Sequence, residues 1–248
     1  MRICVLSDLH LKFCELDTAE QERHQLILKL LERSIGKYDL MVLNGDIFDL
    51  WSETRNTIVK QYFPYLHAFA RLREAGCRFV YISGNHDFWF GSFFRNVLPM
   101  DLHDEAFSLE ADGKNMLFCH GDLHTVNDTR YQIFRKLIRS KVVKGIYDLL
   151  NPDLGLNLGK RLSRSSRLRR INPLHLAQKA AGLERYASLQ IKQKGYDIVV
   201  MGHSHKPCLS KIGDGVYANA GDGVRSFSYV NIIDGNVELC NYAPNPNK

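Results

Sequence analysis

Five short segments of this 248-residue chain end in side chains that bind divalent metals: VLSDLH at 5–10, VLNGDIFD at 42–49, YISGNHD at 81–87, LFCHGD at 117–122 and VVMGHSH at 199–205. In Asp8-x-His10 and His203-x-His205, alternate residues of an extended turn project to one side, so both members of a pair can face one ion. The donors mix carboxylate, imidazole and an amide oxygen, which suits Mn²⁺, Fe²⁺ or Zn²⁺ better than Ca²⁺, with Mn²⁺ preferred. Two such ions, about 3.5–4 Å apart, need a carboxylate between them. Asp46, alone after its strand and turn, is the natural bridge. Two divalent metal ions so held would acidify a water and neutralise phosphoryl oxygens during in-line displacement, which is the chemistry of phosphate or pyrophosphate ester hydrolysis.

Taken alone, each segment has an ordinary explanation: Asp8 could cap a turn, His10 or His120 could be a hydrogen-bonded core histidine, and Gly45-Asp46 could be a plain turn. Five of them in one chain, each directly after an apolar run, outweigh those explanations. Strand ends are also where open α/β sheets keep their sites. Asp49, Asp122 and His124 stay open between supporting the donors and shaping turns, and His24, His67, His103 and His175 read as structural or surface residues.

The elements that must position these residues follow from periodicity. Apolar β-rich runs at 2–7 and 39–44 flank a helical pattern at 18–35, with Leu26, Leu30 and Leu31 at helical spacing. A helix over 59–74, stopped by Gly76, and a strand over 78–83 follow. Further strands are expected at 106–110, 116–120, 198–202, 208–212, 216–220, 228–234 and 237–242, and the β-rich tail implies a second sheet packed on the first. The stretch 123–194 breaks this rhythm, looks helical and is punctuated by Asn151-Pro152 and Asn172-Pro173. The expected organisation is therefore a core of 1–122 and 195–243, a helical insertion of 123–194 and a frayed tail of 244–248.

Charge is as unevenly distributed as structure. The net charge is +6, yet 13 Lys or Arg against two Asp between Thr129 and Leu183 give that segment +11 and leave −5 elsewhere. Ile133, Phe134, Leu137, Ile138, Val142 and Ile146 form an apolar face among Arg135, Lys136, Arg139, Lys141 and Lys144, a pattern that meets an anionic membrane surface or packs on the body with its basic face solvated. Between Lys160 and Arg170, six cations in eleven residues repel one another unless an anion is near. Arg164, Arg167 and Arg170 are thus candidates for a phosphate-bearing ligand or lipid headgroup. Apolar residues make up 45%, enough for a sizeable core. The six cysteines show no CxxC pair, and the first residues lack the uncharged stretch of a signal peptide. A cytoplasmic protein, peripheral on the inner face of the membrane, is expected.

In succession, D-x-H, G-D-x-x-D, G-N-H-D, H-G-D and G-H-x-H resemble the calcineurin-like metallophosphoesterase superfamily over nearly the whole chain. The resemblance implies an α/β (α+β) sandwich of two packed mixed β-sheets flanked by helices. It implies that Asp8, His10, Asp46 and His205 hold one ion, and that Asp46, Asn85, His120 and His203 hold the other. His86 stands where many members keep a histidine near the leaving group, oriented by Asp87.

Within the superfamily the chain is similar to the UDP-2,3-diacylglucosamine pyrophosphatases of lipid A biosynthesis, through SDLHL (7–11), GDIFDLW (45–51), GNHDFWFG (84–91) and HGDLHTVNDTRYQIFR (120–135). Those enzymes place a helical cap over the metals, which implies substrate contacts at Asp128, Tyr131, Phe134 and Arg135. The reaction implied is cleavage of a nucleotide-sugar lipid to UMP and 2,3-diacylglucosamine 1-phosphate. Two positions depart from that pattern, which usually has Arg in place of His86 and Trp where Gly221-Asp222-Gly223 stands. Another phosphodiester or diphosphate is the alternative substrate. Nucleic acid is one such, since Tyr131, Tyr147 and Tyr186 lie in the basic segment and could stack on bases, although a nuclease groove has no use for its apolar face. A non-enzymatic scaffold that kept the fold is the third reading.

Overall fold

Strands β1 (Arg2–Leu6), β2 (Leu40–Asn44) and β3 (Arg78–Ile82) are apolar runs buried on both faces, as expected of parallel strands covered on two sides. Alternate side chains serve opposite layers. Ile3, Val5, Leu40, Val42, Val80 and Ile82 face a second sheet, while Cys4, Leu6, Met41, Leu43, Phe79 and Tyr81 pack with helices α1 (Thr18–Arg33) and α2 (Phe63–Glu74). The computed structural model describes residues 1–14, 16–54, 56–125, 129–149, 152, 154–157 and 173–243.

The remaining strands are β4 (Asp101–His103), β5 (Ala106–Ala111), β6 (Lys114–Cys119), β7 (Ile198–Met201), β8 (Cys208–Ile212), β9 (Gly215–Asn219), β10 (Ser228–Ile233) and β11 (Asn236–Asn241). The first sheet runs β11-β10-β1-β2-β3-β4 and the second β5-β6-β7-β9-β8. Each is mixed: β1 to β4 are parallel and β10 and β11 antiparallel in one, while β6, β7 and β9 are parallel between antiparallel β5 and β8 in the other. Met116, Phe118, Ile198, Val200, Ala218 and Ala220 complete the core between the sheets.

Among the described residues, the connection from β6 to β7 includes helices α3 (Thr129–Ile138), α4 (Lys141–Leu149) and α5 (Pro173–Lys194). Leu183 and Ala187 of α5 close the outer face of the second sheet against Leu117, Cys119, Val199 and Met201. The tail 244–248 lies outside the described residues.

Local chemistry moved several boundaries. Asp17 accepts from Glu20 N at 2.9 Å to open α1, and Ser34 Oγ turns back to Leu30 O at 2.8 Å, ending the helix before residue 35. Pro64, which lacks an amide donor, sits in the first turn of α2, and 60–62 form a separate 3₁₀ turn. The β-rich tail does not form a single new sheet: β8 and β9 join the second sheet, whereas β10 returns to pair with β1 and carries β11 on its outer edge. β4, three residues long, has no periodicity to read.

Arg23 fastens α1 beneath the turn that carries Asp8 and His10. Its guanidinium reaches Leu9 O at 2.6 Å, His10 O at 3.1 Å and Gly223 O at 3.2 Å, with Glu20 at 2.7 Å as counter-ion. His24 is buried beside it, against Arg23, Glu20 and the Tyr65 ring. Burial, aided by the Arg23 charge, pushes His24 down to about 4 from 6.5, although Glu20 acts the other way. Between those values the unfolded chain takes up a proton that the folded one refuses, so this residue's contribution to stability is lost as pH falls from 6.5 toward 4. His24→Gln should remove that component: urea midpoints at pH 7 and pH 4.5 should differ less in the variant than in the wild type.

Candidate metal centre

All five motifs emerge at the carboxyl ends of adjacent strands: Asp8 and His10 after β1, Asp46 and Asp49 after β2, Asn85 and His86 after β3, His120 after β6, and His203 and His205 after β7. Eight non-glycine residues have positive φ among the described residues, and five of them are Asp8, His10, Asp46, His203 and His205. That conformation costs an L-residue energy and concentrates at functional sites. Close backbone approach adds to the constraint. A Cβ on Gly84 would fall on the Asp46 backbone nitrogen, and one on Gly202 would fall on Ser7 Oγ.

Asp46 stands at the centre. Its Oδ2 lies 3.9 Å from His10 Nε2 and 3.5 Å from His120 Nε2, facing both groups at once, while Oδ1 accepts from His86 N at 2.9 Å. On one side, Asp8 Oδ1 lies 4.0 Å from His10 Nε2 and 3.3 Å from His205 Nε2. On the other, Asn85 Oδ1 lies 3.2 Å from both His120 Nε2 and His203 Nδ1. The donor atoms of Asp8, His10 and His205, and those of Asp8, Asp46 and His120, each lie within 4.8 Å of one another. His10, Asp49 and His86 form a third such group.

The ring orientations are set from behind. His120 Nδ1 lies 2.9 Å from Asn44 O, and a carbonyl can only accept, so Nδ1 carries the proton and Nε2 faces the two oxygens of Asp46 and Asn85. His205 is held the same way, by Asp222 Oδ2 at 3.1 Å from Nδ1. Asp222 is fixed in turn by the backbone N–H groups of Val224, Arg225 and Ser226. Ser7 Oγ donates to Asp8 Oδ2 or to Asn44 O, at 2.5 and 2.8 Å.

The residues fit divalent cations. His120 Nε2 has Asp46 Oδ2 at 3.5 Å and Asn85 Oδ1 at 3.2 Å, and Asp8 Oδ1 and His203 Nε2 are buried without a hydrogen-bond partner among the described residues. Electrostatics agree. Burial disfavours a charged His120, but Asp46 and Asp8 outweigh it and raise its pKa to about 10, so the cluster attracts positive charge strongly. Burial also opposes the Asp46 charge, yet His120 and His86 hold that carboxyl well below the usual range. Burial raises Asp8, against the pull of His205. It also drives His10 and His203 well below 6.5, keeping their nitrogens as neutral donors.

One expected arrangement is corrected. Asp87 does not orient His86; its buried carboxylate accepts from Tyr81 OH at 2.5 Å, Ile47 N at 2.7 Å, Asp46 N at 2.9 Å, Gly84 N at 3.0 Å and Phe48 N at 3.2 Å. All its lone pairs are taken by the turns beneath the site. Burial and the Asp46 charge raise it to about 6 against those hydrogen bonds. The His86 ring is instead oriented by Asp49, whose carbonyl lies 3.0 Å from Nδ1 and whose Oδ1 lies 3.9 Å from His10 Nδ1.

The expected substrate residues separate into three groups. Asp128, Arg164, Arg167 and Arg170 lie outside the described residues, and Tyr131 and Phe134 lie on α3. Arg135 is buried, with Nε 2.7 Å from Asp122 Oδ2. Sequence reasoning missed Asn44, Arg23 and Asp222. Asn44 had a readable signal, a polar residue ending an apolar strand directly before Gly45-Asp46. So did Asp222, which follows β9 as the other motifs follow their strands.

A family model for calcineurin-like phosphoesterases matches residues 1–207. A UDP-2,3-diacylglucosamine hydrolase of Bordetella parapertussis is 30% identical over 210 residues, covering 81% of this chain and 76% of that one. The Neisseria meningitidis serogroup B protein of the same name is 24% identical over 238 residues, covering 93% of each chain. Among solved structures, an archaeal phosphodiesterase superposes with a TM-score of 0.50 at 12% identity, over 97% of this chain and 99% of that one, which speaks to the fold alone. With a match across most of its length, the chain belongs to the calcineurin-like phosphoesterase family and is a metal-dependent phosphoesterase.

Proposed function

We propose that this protein cleaves the pyrophosphate of UDP-2,3-diacylglucosamine, releasing UMP and 2,3-diacylglucosamine 1-phosphate, at a dinuclear centre. The ligands in this reading are Asp8, His10, Asp46 and His205 for one ion and Asp46, Asn85, His120 and His203 for the other. The observation that carries it is Asp46 Oδ2 facing His10 and His120 together. The substrate rests on the names of the relatives, which match over most of the chain.

Two divalent cations, Mn²⁺ by preference with Fe²⁺ or Zn²⁺ as alternatives, would supply charge neutralisation at the phosphoryl oxygens and acidify water at neutral pH. The chain's own groups orient and protonate. Asn44 and Asp222 fix the tautomers of His120 and His205, so each presents Nε2 to the centre. His86 donates Nδ1–H to the Asp49 carbonyl, which orients Nε2, and in its imidazolium form the ring would give the Nε2 proton to the leaving oxygen. Asp87 acts through the turns that carry Asp46 and Asn85.

In this reading residues 1–122 and 195–243 form the core and 123–194 a cap that holds the lipid. The exposed Ile133, Leu137, Val142, Ile146 and Leu149, close in sequence to Lys136 and Lys144, favour a cytoplasmic protein resting on the anionic inner face of the membrane. No helix among the described residues is long and apolar enough to cross it. Against a nuclease, Tyr186 is stacked on His124 at 3.5 Å and Tyr147 packs against Trp89 at 4.9 Å, so each ring already has an aromatic partner.

Three outcomes test this reading. Mn²⁺-loaded protein should release UMP from UDP-2,3-diacylglucosamine, and Asp46→Ala should abolish it; hydrolysis of bis(p-nitrophenyl) phosphate with the lipid left intact would reject the substrate and keep the chemistry. His86→Ala should slow UMP release from the lipid by roughly 10²–10⁴-fold; an unchanged rate would remove His86 from proton transfer to the leaving oxygen. Val142→Glu and Ile146→Glu together should reduce co-sedimentation with phosphatidylglycerol vesicles; unchanged binding would remove this face from the membrane contact.

A further inference from the structure

Two arginines, Arg135 of α3 and Arg139 just past its end, reach the body of the protein. Arg135 is at least nine-tenths buried and paired with Asp122, two residues beyond His120. Arg139, just past the end of α3, is half-buried and gives Nη2 to Gly84 O at 2.5 Å and Nη1 to Ser83 Oγ at 3.1 Å. Its guanidinium carbon also lies 4.9 Å from the centre of the Phe88 ring. Nη1 extends to Asp104 O at 3.5 Å.

These contacts straddle one loop. Ser83 and Gly84 enter it, Phe88 leaves it, and Asn85 and His86 lie between. Asn85 Oδ1 must keep 3.2 Å contacts with two imidazoles, and Gly84 has no room for even a Cβ against Asp46, so small loop shifts are felt directly at the donors. A guanidinium suits this task because its planar fork donates to two acceptors while its face lies on an aromatic ring. A lysine ammonium offers one compact charge and cannot hold both ends.

We propose that Arg139 is a positioning residue that clamps the Asn85–His86 loop, so that seating of the cap helix sets the geometry of the metal centre. The proposal rests on the ligand assignment above. It turns a cation that composition assigns to a membrane or substrate surface into a strut between cap and centre. Arg135 has the same position relative to His120, but its removal would strand the buried Asp122 charge and threaten folding. Arg139 is therefore the residue to test.

Arg139→Met and Arg139→Lys would be compared with wild type and with Lys192→Met, an exposed cation at the far end of α5. Mn²⁺ affinity is read from the electron paramagnetic resonance signal of free Mn²⁺, alongside kcat and KM for bis(p-nitrophenyl) phosphate and the thermal midpoint. Both Arg139 variants should bind Mn²⁺ roughly tenfold more weakly and lose kcat with little change in KM, whereas Lys192→Met should match wild type. Unchanged Mn²⁺ affinity and kcat in Arg139→Met would overturn the proposal, as would a lowered thermal midpoint with both preserved. Full recovery by Arg139→Lys would overturn the two-ended clamp. Failure of the wild type to bind Mn²⁺ would reject the ligand assignment itself, a separate result.

Discussion

Asp87 puts a buried carboxylate under the two turns that carry Asp46 and Asn85, where four backbone N–H groups and the Tyr81 hydroxyl satisfy it. The turns after β2 and β3 bring carboxylate and amide oxygens together, and such groups repel at short range unless something holds them. A buried acceptor with five donors does so, because breaking any of those bonds leaves a polar group unpaired in a dry interior. The positive φ of Asp46 and the tight approach of Gly84 persist on this foundation. The site is thus organised from beneath by one charge that never faces the substrate.

The same logic extends outward in rings. Asn44 and Asp222 set imidazole tautomers, Arg23 holds the turn carrying Asp8 and His10, and Ser7 bridges the first two motifs. Each of these residues is buried, and each bonds mainly to backbone. Backbone acceptors and donors have no side-chain identity, so positions such as Asn44 and Asp222 can be flagged from sequence while their partners cannot.

That difference explains what could be read in advance. Asp8, His10, Asp46, Asn85, His120, His203 and His205 converge in space because each follows an apolar run, and period-two patterning plus ligand chemistry are both local signals. The strands were readable as apolar runs for the same reason, but which face Ile3 and Val5 or Cys4 and Leu6 would serve was not, because all four are apolar. Partners distant in sequence were not. Asp87 looked like a histidine's companion because they are neighbours, while the group that orients His86 comes from residue 49. The return of β10 to β1 is likewise a long-range pairing that local propensity does not encode. Arg139 counted as surface charge and Arg135 as a substrate contact, since composition and motif cannot distinguish a solvated or ligand-facing cation from one tied to a carboxylate or carbonyl.

β6 and β7 are parallel neighbours in the second sheet, and parallel neighbours cannot be joined by a hairpin. Some crossover between them is obligatory, and α5, packed on Leu117 and Val199, meets that requirement alone. Everything between 123 and 172 is therefore surplus to closing the sheet. The fold can lengthen, shorten or exchange that stretch without disturbing strand order, so a hydrolytic centre of one chemistry can be refitted to substrates of different size by editing a single connection.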